Sequence, residues 1–457
     1  MPFEALGEDV LLRIFCFCDI YTALAVSAIN RPLRRIALSK QLWLFLVLDT
    51  RFRDALDLPP PDRERLECLS PEELIAVVKN AVAGPGPSSS WDLEHDESSS
   101  VTMTCIQIPP DDMGMDRAAD ARLLPGARYI LLHSTSTTQR RLCMYDVWSA
   151  RRVWDHTVQA LTMFHVDLVP GATIARVCLA QPGDLPNTLT VHIEEVELTT
   201  GASHELFNFS FGSIGSLCAI VGDFLLGTVL QSHWNFNDLK LVLINWRTCT
   251  FVSLGHMGPS PVQLIPGYIL STYQETSPPR GHILAATALE AFSDRWQALT
   301  EEGTLLGTQL EAGSVSTITI NNIATQERLE YNSWQIRSGY TTAEPDPLYA
   351  GAYIISVHGL PFPERPAPRR ATLTERIGSL INMTARRVEA LPVPVQVLLS
   401  YRFMPGQGQG GSKLQLVSAR RVSNLPRPEF PRAIPRYSGN TISVVYRQRK
   451  GPGADAA

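Results

Sequence analysis

The sequence predicts a multidomain chain in which a small all-α module is followed by a large all-β, propeller-like domain of about seven blades. Three observations predict it. Apolar residues near the start repeat with helical spacing, a Pro/Gly break and a Ser- and acid-rich stretch interrupt the chain over 84–100, and beyond residue 101 short β-rich runs recur at a nearly constant interval. The bounds that follow are 1–48 for a helical module, 49–87 for a helical extension, 88–100 for a linker, 101–447 for the β-rich domain and 448–457 for a disordered tail.

The helical start carries more apolar surface than it can use. With about 100° per residue, Val10, Ile14 and Phe17 share one face, and Leu11, Phe15 and Leu12 continue it sideways. The apolar sector spans roughly 220°, against about 100° for an ordinary surface helix. A unit this small is marginal alone, so the excess belongs either to a larger helical core or to another protein.

The order of residues narrows that choice. Leu6, the acid pair Glu8 and Asp9, the aliphatics Val10 and Leu11, and Ile14-Phe15 are followed by Ile29, Asn30, Arg31, Leu33, Arg34, Ile36 and Ala37, and then by Trp43. This pattern resembles the F-box, the short helical module by which substrate receptors attach to Skp-type adaptors of cullin ubiquitin ligases, and its wording is nearest to fungal F-box proteins. It covers about a tenth of the chain. Gly7 stands where the family usually has Pro, which loosens the helix start, and Cys18 stands where a Leu would pack.

The resemblance implies adaptor-binding residues at Leu6, Val10, Leu11, Ile14, Phe15, Leu24, Ile29, Leu33, Ile36 and Trp43. It implies a Skp-type adaptor, and through it a cullin, as partners, with an unidentified protein substrate recruited by the β domain. The chain would then be a non-catalytic substrate receptor, with no catalytic, cofactor-binding or metal-ligating residue and no cofactor. Two alternatives are a propeller-type enzyme with an unrelated helical cap and an F-box scaffold that works outside ubiquitination.

Composition agrees with a globular protein: 44% of residues are hydrophobic and 19% charged. A formal net charge of -5 argues against a nucleic-acid partner bound by the whole surface. The start, Met1-Pro2-Phe3-Glu4, lacks the basic region and small-residue cleavage site of a secretory signal, so none is expected. The longest strongly apolar run, Leu42 to Leu48, is far short of the roughly 20 residues of a membrane span. Eight scattered cysteines without a CxxC pair read as reduced, buried small hydrophobes of a cytoplasmic or nuclear protein that is not secreted.

Further along, Pro59-Pro60-Pro61 breaks the chain before Ser70-Pro71-Glu72-Glu73, where Ser70 and Glu73 have the spacing of a capping box and Pro71 suits the first helical position. The predicted helix runs to about Val82 and stops at Gly84-Pro85. In the β region, Tyr129–His133, Leu142–Val147, Leu189–Leu198, Leu239–Trp246 and His282–Leu289 read as strands. Several end at a polar residue before a turn: Asp146, Glu197 and Asn245, which are 51 and 48 residues apart. That interval is close to a propeller blade of roughly 40–50 residues. Gly-containing turns precede other strands at Gly126, Gly222 and Gly267. Leucine-rich and kelch patterns are absent, and the only echoes of a WD repeat are Trp154-Asp155 and Gly255-His256.

No catalytic constellation rises above background. The run Gly406 to Gly411 lacks the helix that a dinucleotide loop requires, because Lys413-Leu414-Gln415-Leu416-Val417 reads as a strand. Gly212-Ser213-Ile214-Gly215 has its Ser one place too early for a nucleophile elbow. His192, on an alternating strand, reads as a packed or rim residue. The PxxP loop over 361–370 and the late arginines Arg420, Arg421, Arg427, Arg432 and Arg436 read as a connecting loop and as solvated rim charges.

Overall fold

A computed structural model describes residues 6–56, 58, 61–83, 120–126, 128–133, 140–159, 162–169, 173–183, 188–211, 215–230, 239–254, 262–275, 281–299, 323–332, 334–362, 396–406, 411–422, 433–435 and 441–443. The expected linker at 88–100 and tail at 448–457 lie outside these residues, as do the PxxP loop beyond Phe362 and the arginines at 427, 432 and 436.

Seven helices open the chain: α1 (Glu8–Cys16), α2 (Ile20–Ser27), α3 (Arg31–Ala37), α4 (Lys40–Leu48), α5 (Thr50–Ala55), α6 (Arg63–Cys68) and α7 (Pro71–Ala83). Most begin at a side-chain cap. Asp19, Asn30, Ser39, Asp49 and Asp62 each accept an N–H from the first turn that follows, which satisfies a donor the helix itself cannot. Gly7 starts α1 without any such bond. At α7 the capping box forms as predicted: Glu73 N–H donates to Ser70 Oγ at 3.2 Å, and Ser70 N–H donates to Glu73 Oε2 at 2.7 Å. One core unites the helices. Leu11, Phe15, Leu33, Ile36, Leu42, Trp43 and Leu46 pack with Phe52 and Leu56 of the α5 region and with Leu74 and Val78 of α7, so the module and its extension share their interior.

The β region is a succession of antiparallel sheets. The first holds β1 (Asp120–Leu123), β2 (Tyr129–His133), β3 (Arg141–Asp146) and β4 (Arg151–Thr157), hydrogen-bonded in chain order. The second repeats the layout with β5 (Met163–Leu168), β6 (Ile174–Pro182), β7 (Leu189–Glu197) and β8 (Ser203–Phe211). The third has β9 (Gly215–Val221), β10 (Phe224–Leu230), β11 (Leu239–Asn245) and β12 (Thr250–Ser253), and the fourth has β13 (Val262–Ile265), β14 (Tyr268–Gln274) and β15 (His282–Ala288). A short strand, β16 (Gln297–Ala298), joins the outer edge of the third sheet, and β17 (Ile323–Arg328) completes the fourth. The fifth sheet runs β18 (Glu330–Tyr331), β19 (Trp334–Pro345), β20 (Tyr353–Phe362), β21 (Gln396–Met404) and β22 (Lys413–Val422), and a separate pair is formed by β23 (Ala433–Pro435) and β24 (Thr441–Ser443).

The sheets pack face to face in chain order, which is how a propeller is built. Leu131, Met144 and Trp154 of the first meet Val177, Leu179 and Val196 of the second. Ile193 and Phe207 of the second meet Leu225, Val242 and Phe251 of the third. Leu226 and Leu243 of the third meet Leu264 and Ile269 of the fourth, and Leu270 and Leu284 of the fourth meet Ile355, Val357 and Leu399 of the fifth. The first strands of successive sheets also touch, β5 with β9 and β9 with β13.

The weak repeat read from the sequence marks real structural positions. Asp146, Glu197 and Asn245 each end the third strand of a sheet, and the residue four places on has positive φ in all three: Ala150, Gly201 and Cys249. The carboxylate of Asp146 and the amide oxygen of Asn245 accept the N–H groups two and three residues ahead, which closes the turn. Gly126, Gly222 and Gly267, all at positive φ, sit in the turns between first and second strands. Leu189–Leu198 and Leu239–Trp246 are thus equivalent third strands of neighbouring sheets.

The described residues of the β domain hold five sheets of four or five strands and one two-stranded pair, and the expected count of about seven blades extends over stretches that lie outside them. The expectation of uniformly buried cysteines is corrected: Cys143 and Cys178 are buried, whereas Cys68 and Cys249 are exposed. The run ending at Gly411 leads into β22, which pairs antiparallel with β21, so a strand follows the glycines. Among the described residues no helix is long and apolar enough to cross a membrane.

Candidate docking face on the helical module

Helix α1 is apolar on two sides, and the two have different fates. Leu11 and Phe15, one turn apart, point into the module core. Val10, Ile14 and Phe17, spaced by four and three residues, stay outside, and Phe17 is 77% exposed. Helix α2 repeats the division: Ile20 and Ala23 are buried, while Tyr21 and Leu24 face out. Ile29 beyond α2 and Phe45 on α4 are exposed as well. Single exposed apolar side chains are ordinary, but a row of three along one short helix and its C-cap residue Phe17 is not. The remaining large exposed apolar side chains among the described residues are Trp334, Tyr340, Leu360 and Leu416, all on the fifth sheet.

Of the ten residues the resemblance assigns to adaptor binding, the structure leaves Val10, Ile14, Leu24 and Ile29 exposed and Leu6 partly covered. Leu11, Phe15, Leu33, Ile36 and Trp43 are core residues, with Phe15 and Trp43 both 1% exposed. Trp43 is fixed further by its indole N–H, which donates to the Ala37 carbonyl at 2.9 Å. The surplus apolar surface expected at Phe15 and Trp43 is therefore corrected: these rings fill the space among α1, α3, α4 and α7. Phe17 and Tyr21 were not assigned. For Phe17 the signal was present, since it shares the face of Val10 and Ile14.

A second cluster of functional groups joins the first two sheets. Glu194 on β7 accepts hydrogen bonds at Oε1 from His156 Nδ1 (3.1 Å) and His192 Nε2 (3.0 Å), and at Oε2 from the indole N–H of Trp154 (3.2 Å). His192 Nδ1 lies 3.1 Å from Glu205 Oε2. Hydrogen bonds from His156 and His192 hold the Glu194 carboxyl far below the usual carboxylate range, and the bond to Glu194 raises His192. His192 is thus a half-buried ion-pair member at the seam between sheets. Among the described residues no group of three or more His, Cys, Asp and Glu side chains is arranged to hold a metal ion.

No family model matches the chain, and no curated protein matches it. Among solved structures, it is similar to an uncharacterized protein of Listeria monocytogenes EGD-e at 12% identity and a TM-score of 0.26, covering 37% of this chain and 49% of that one, so the chain spans about half of its length. The propeller domain of the Trilobed protease from Pyrococcus furiosus is similar at 9% identity and a TM-score of 0.30, with 69% and 84% covered. The WD40 domain of SCAP from fission yeast is similar at 9% identity and a TM-score of 0.24, with 67% and 75% covered.

Proposed function

We propose that the chain is a non-catalytic substrate-receptor subunit of an SCF-type ubiquitin ligase. In this reading the outward face of α1 and α2 docks a Skp-type adaptor, and through it a cullin, while the β domain recruits a protein target. The observation that carries it is the row Val10, Ile14 and Phe17, left outside by a helix whose opposite face already fills the module core. Burying one such side chain fully is worth roughly 1.5–3 kcal/mol. Three together are enough to anchor a partner, since large apolar anchors near an interface centre often cost more than about 2 kcal/mol when truncated.

Co-purification of the full chain with a recombinant Skp-type adaptor and cullin tests the reading. A stoichiometric three-component complex on gel filtration is the expected result. Elution of the chain apart from the adaptor at micromolar concentrations would refute the docking role.

A further inference from the structure

The turn between β19 and β20 reaches across to the helical module and completes the start of one of its helices. Tyr21 is the second residue of α2, and its N–H, which has no partner inside the helix, donates to the Leu348 carbonyl at 3.2 Å. Asp19, the residue that caps α2, divides its carboxylate between the two domains. Its Oδ1 accepts from Thr22 N–H at 2.7 Å within the helix, and its Oδ2 accepts from Ala350 N–H at 3.0 Å across the gap. The rings of Tyr21 and Tyr349 stack with centroids 4.2 Å apart and planes 24° apart. Leu348 packs against the module core.

The tip is braced from behind by the β domain. Asp346 Oδ1 accepts N–H groups from Leu348 and Tyr349 at 2.8 and 3.3 Å, and Asp346 N–H donates to the Ala352 carbonyl at 2.8 Å. Arg402 of β21 donates to Asp346 Oδ2 at 2.6 Å, and its guanidinium lies 4.0 Å from the centroid of the Tyr349 ring. This ion pair is nearly closed to water, with the Asp346 side chain 1% exposed, so its geometry is held against the competition that loosens surface pairs. A braced tip on one domain and a shared helix cap on the other form a continuous chain of contacts from β21 to α2.

We infer that the 346–351 turn is the main strut that locks the helical module and the β domain into one rigid body, with Asp54 of α5, which sits beside Gly126 and Arg128 of the β1–β2 turn, as a lesser approach. The strut stands on contacts within this chain alone. Its consequence for a partner rests on the docking role proposed above: an adaptor on α1 and α2 would hold the β domain, and any target on it, at one fixed bearing.

Pulsed EPR distances between labels at Glu64 on α6 and Lys413 on β22, both exposed and introduced as non-canonical amino acids, test the strut without any partner present. The unmodified chain should give one narrow distance. Asp19→Asn keeps a helix cap, since Asn caps as well as Asp, but places an NH2 group against Ala350 N–H. Combined with Tyr349→Ala, it should abolish the narrow peak and give a broad distribution while each domain still melts cooperatively. Asp19→Asn alone, which leaves both cores untouched, should broaden the distribution measurably. A broad distribution in the unmodified chain, or a narrow one that survives in the single and double variants, would overturn the inference. Loss of adaptor binding with the distance unchanged would count against the docking role and leave the strut standing.

Discussion

The first four sheets of the β domain and the helical module differ in what they leave outside. In those sheets, large apolar side chains are spent on the interfaces between consecutive sheets, and among the described residues none is exposed. In the module, Val10, Ile14, Phe17, Leu24, Ile29 and Phe45 remain outside although the core is complete, while Tyr21, half exposed, is stacked on Tyr349 of the β domain. A repeating sheet finds its partner in the next repeat, whereas a short helical unit has no neighbour of its own kind to cover a second apolar face. Surplus apolar surface therefore sets the module apart from the first four sheets, and among the described residues it is shared only by the fifth sheet, at Trp334, Tyr340, Leu360 and Leu416.

Trp43→Ala is the sharpest way to break this contrast. A fully buried ring that also loses a hydrogen bond to Ala37 should cost about 3–5 kcal/mol and unfold the module, read as a lost low-stability transition in denaturant melts. Phe15→Ala belongs to the same class, so loss of partner binding in that variant would report unfolding. On the β side, Gly201→Ala should cost more than about 1 kcal/mol, because φ is positive there and the new Cβ would press against the Val153 carbonyl oxygen of the adjoining sheet. A thermal melt of the β domain checks it.

The Glu194 cluster yields a pH prediction of smaller size. His192 is raised above its ordinary 6.5 in the folded state, so its contribution is complete below 6.5 and is lost as pH rises through the raised value. Glu194 is lowered from 4.5, so its contribution is complete above 4.5 and is lost as pH falls toward the lowered value. Both are present together between 4.5 and 6.5, and the stability gap between the unmodified chain and Glu194→Gln should be greatest in that window and narrow above it. A gap that does not change from pH 5 to pH 8 would show that the cluster does not titrate as described. Smallest of all, Phe17→Ala should change stability by no more than about 0.5 kcal/mol, since it removes a side chain that packs on almost nothing.

Much of the fold was legible because it depends on local rules. Tyr129–His133 is a strand with the bounds expected, and Ser70 and Glu73 form the expected capping box because three residues of chain determine it. Asp146, Glu197 and Asn245 revealed the repeat, since a polar residue and a positive-φ position four places on recur at the same hairpin each time. The division of α1 was only half legible. Spacing places Val10, Ile14 and Phe17 on one face with Leu11 and Phe15 continuing it sideways, but which side turns inward depends on α3, α4 and α7. The strut was invisible for a stronger reason: Asp346 has the local signature of a turn, yet its tip meets Asp19 across 331 residues of sequence.

The most direct measurement of the central claim is a calorimetric titration of a Skp-type adaptor into the unmodified chain, Ile14→Ala/Phe17→Ala and Arg13→Ala, with melts run in parallel. The account predicts that the double variant melts like the unmodified chain and binds at least about a hundredfold more weakly, at roughly 1.4 kcal/mol per tenfold, while Arg13→Ala binds normally. Undiminished adaptor affinity in a folded Ile14→Ala/Phe17→Ala variant, or no adaptor binding by the unmodified chain, would contradict it.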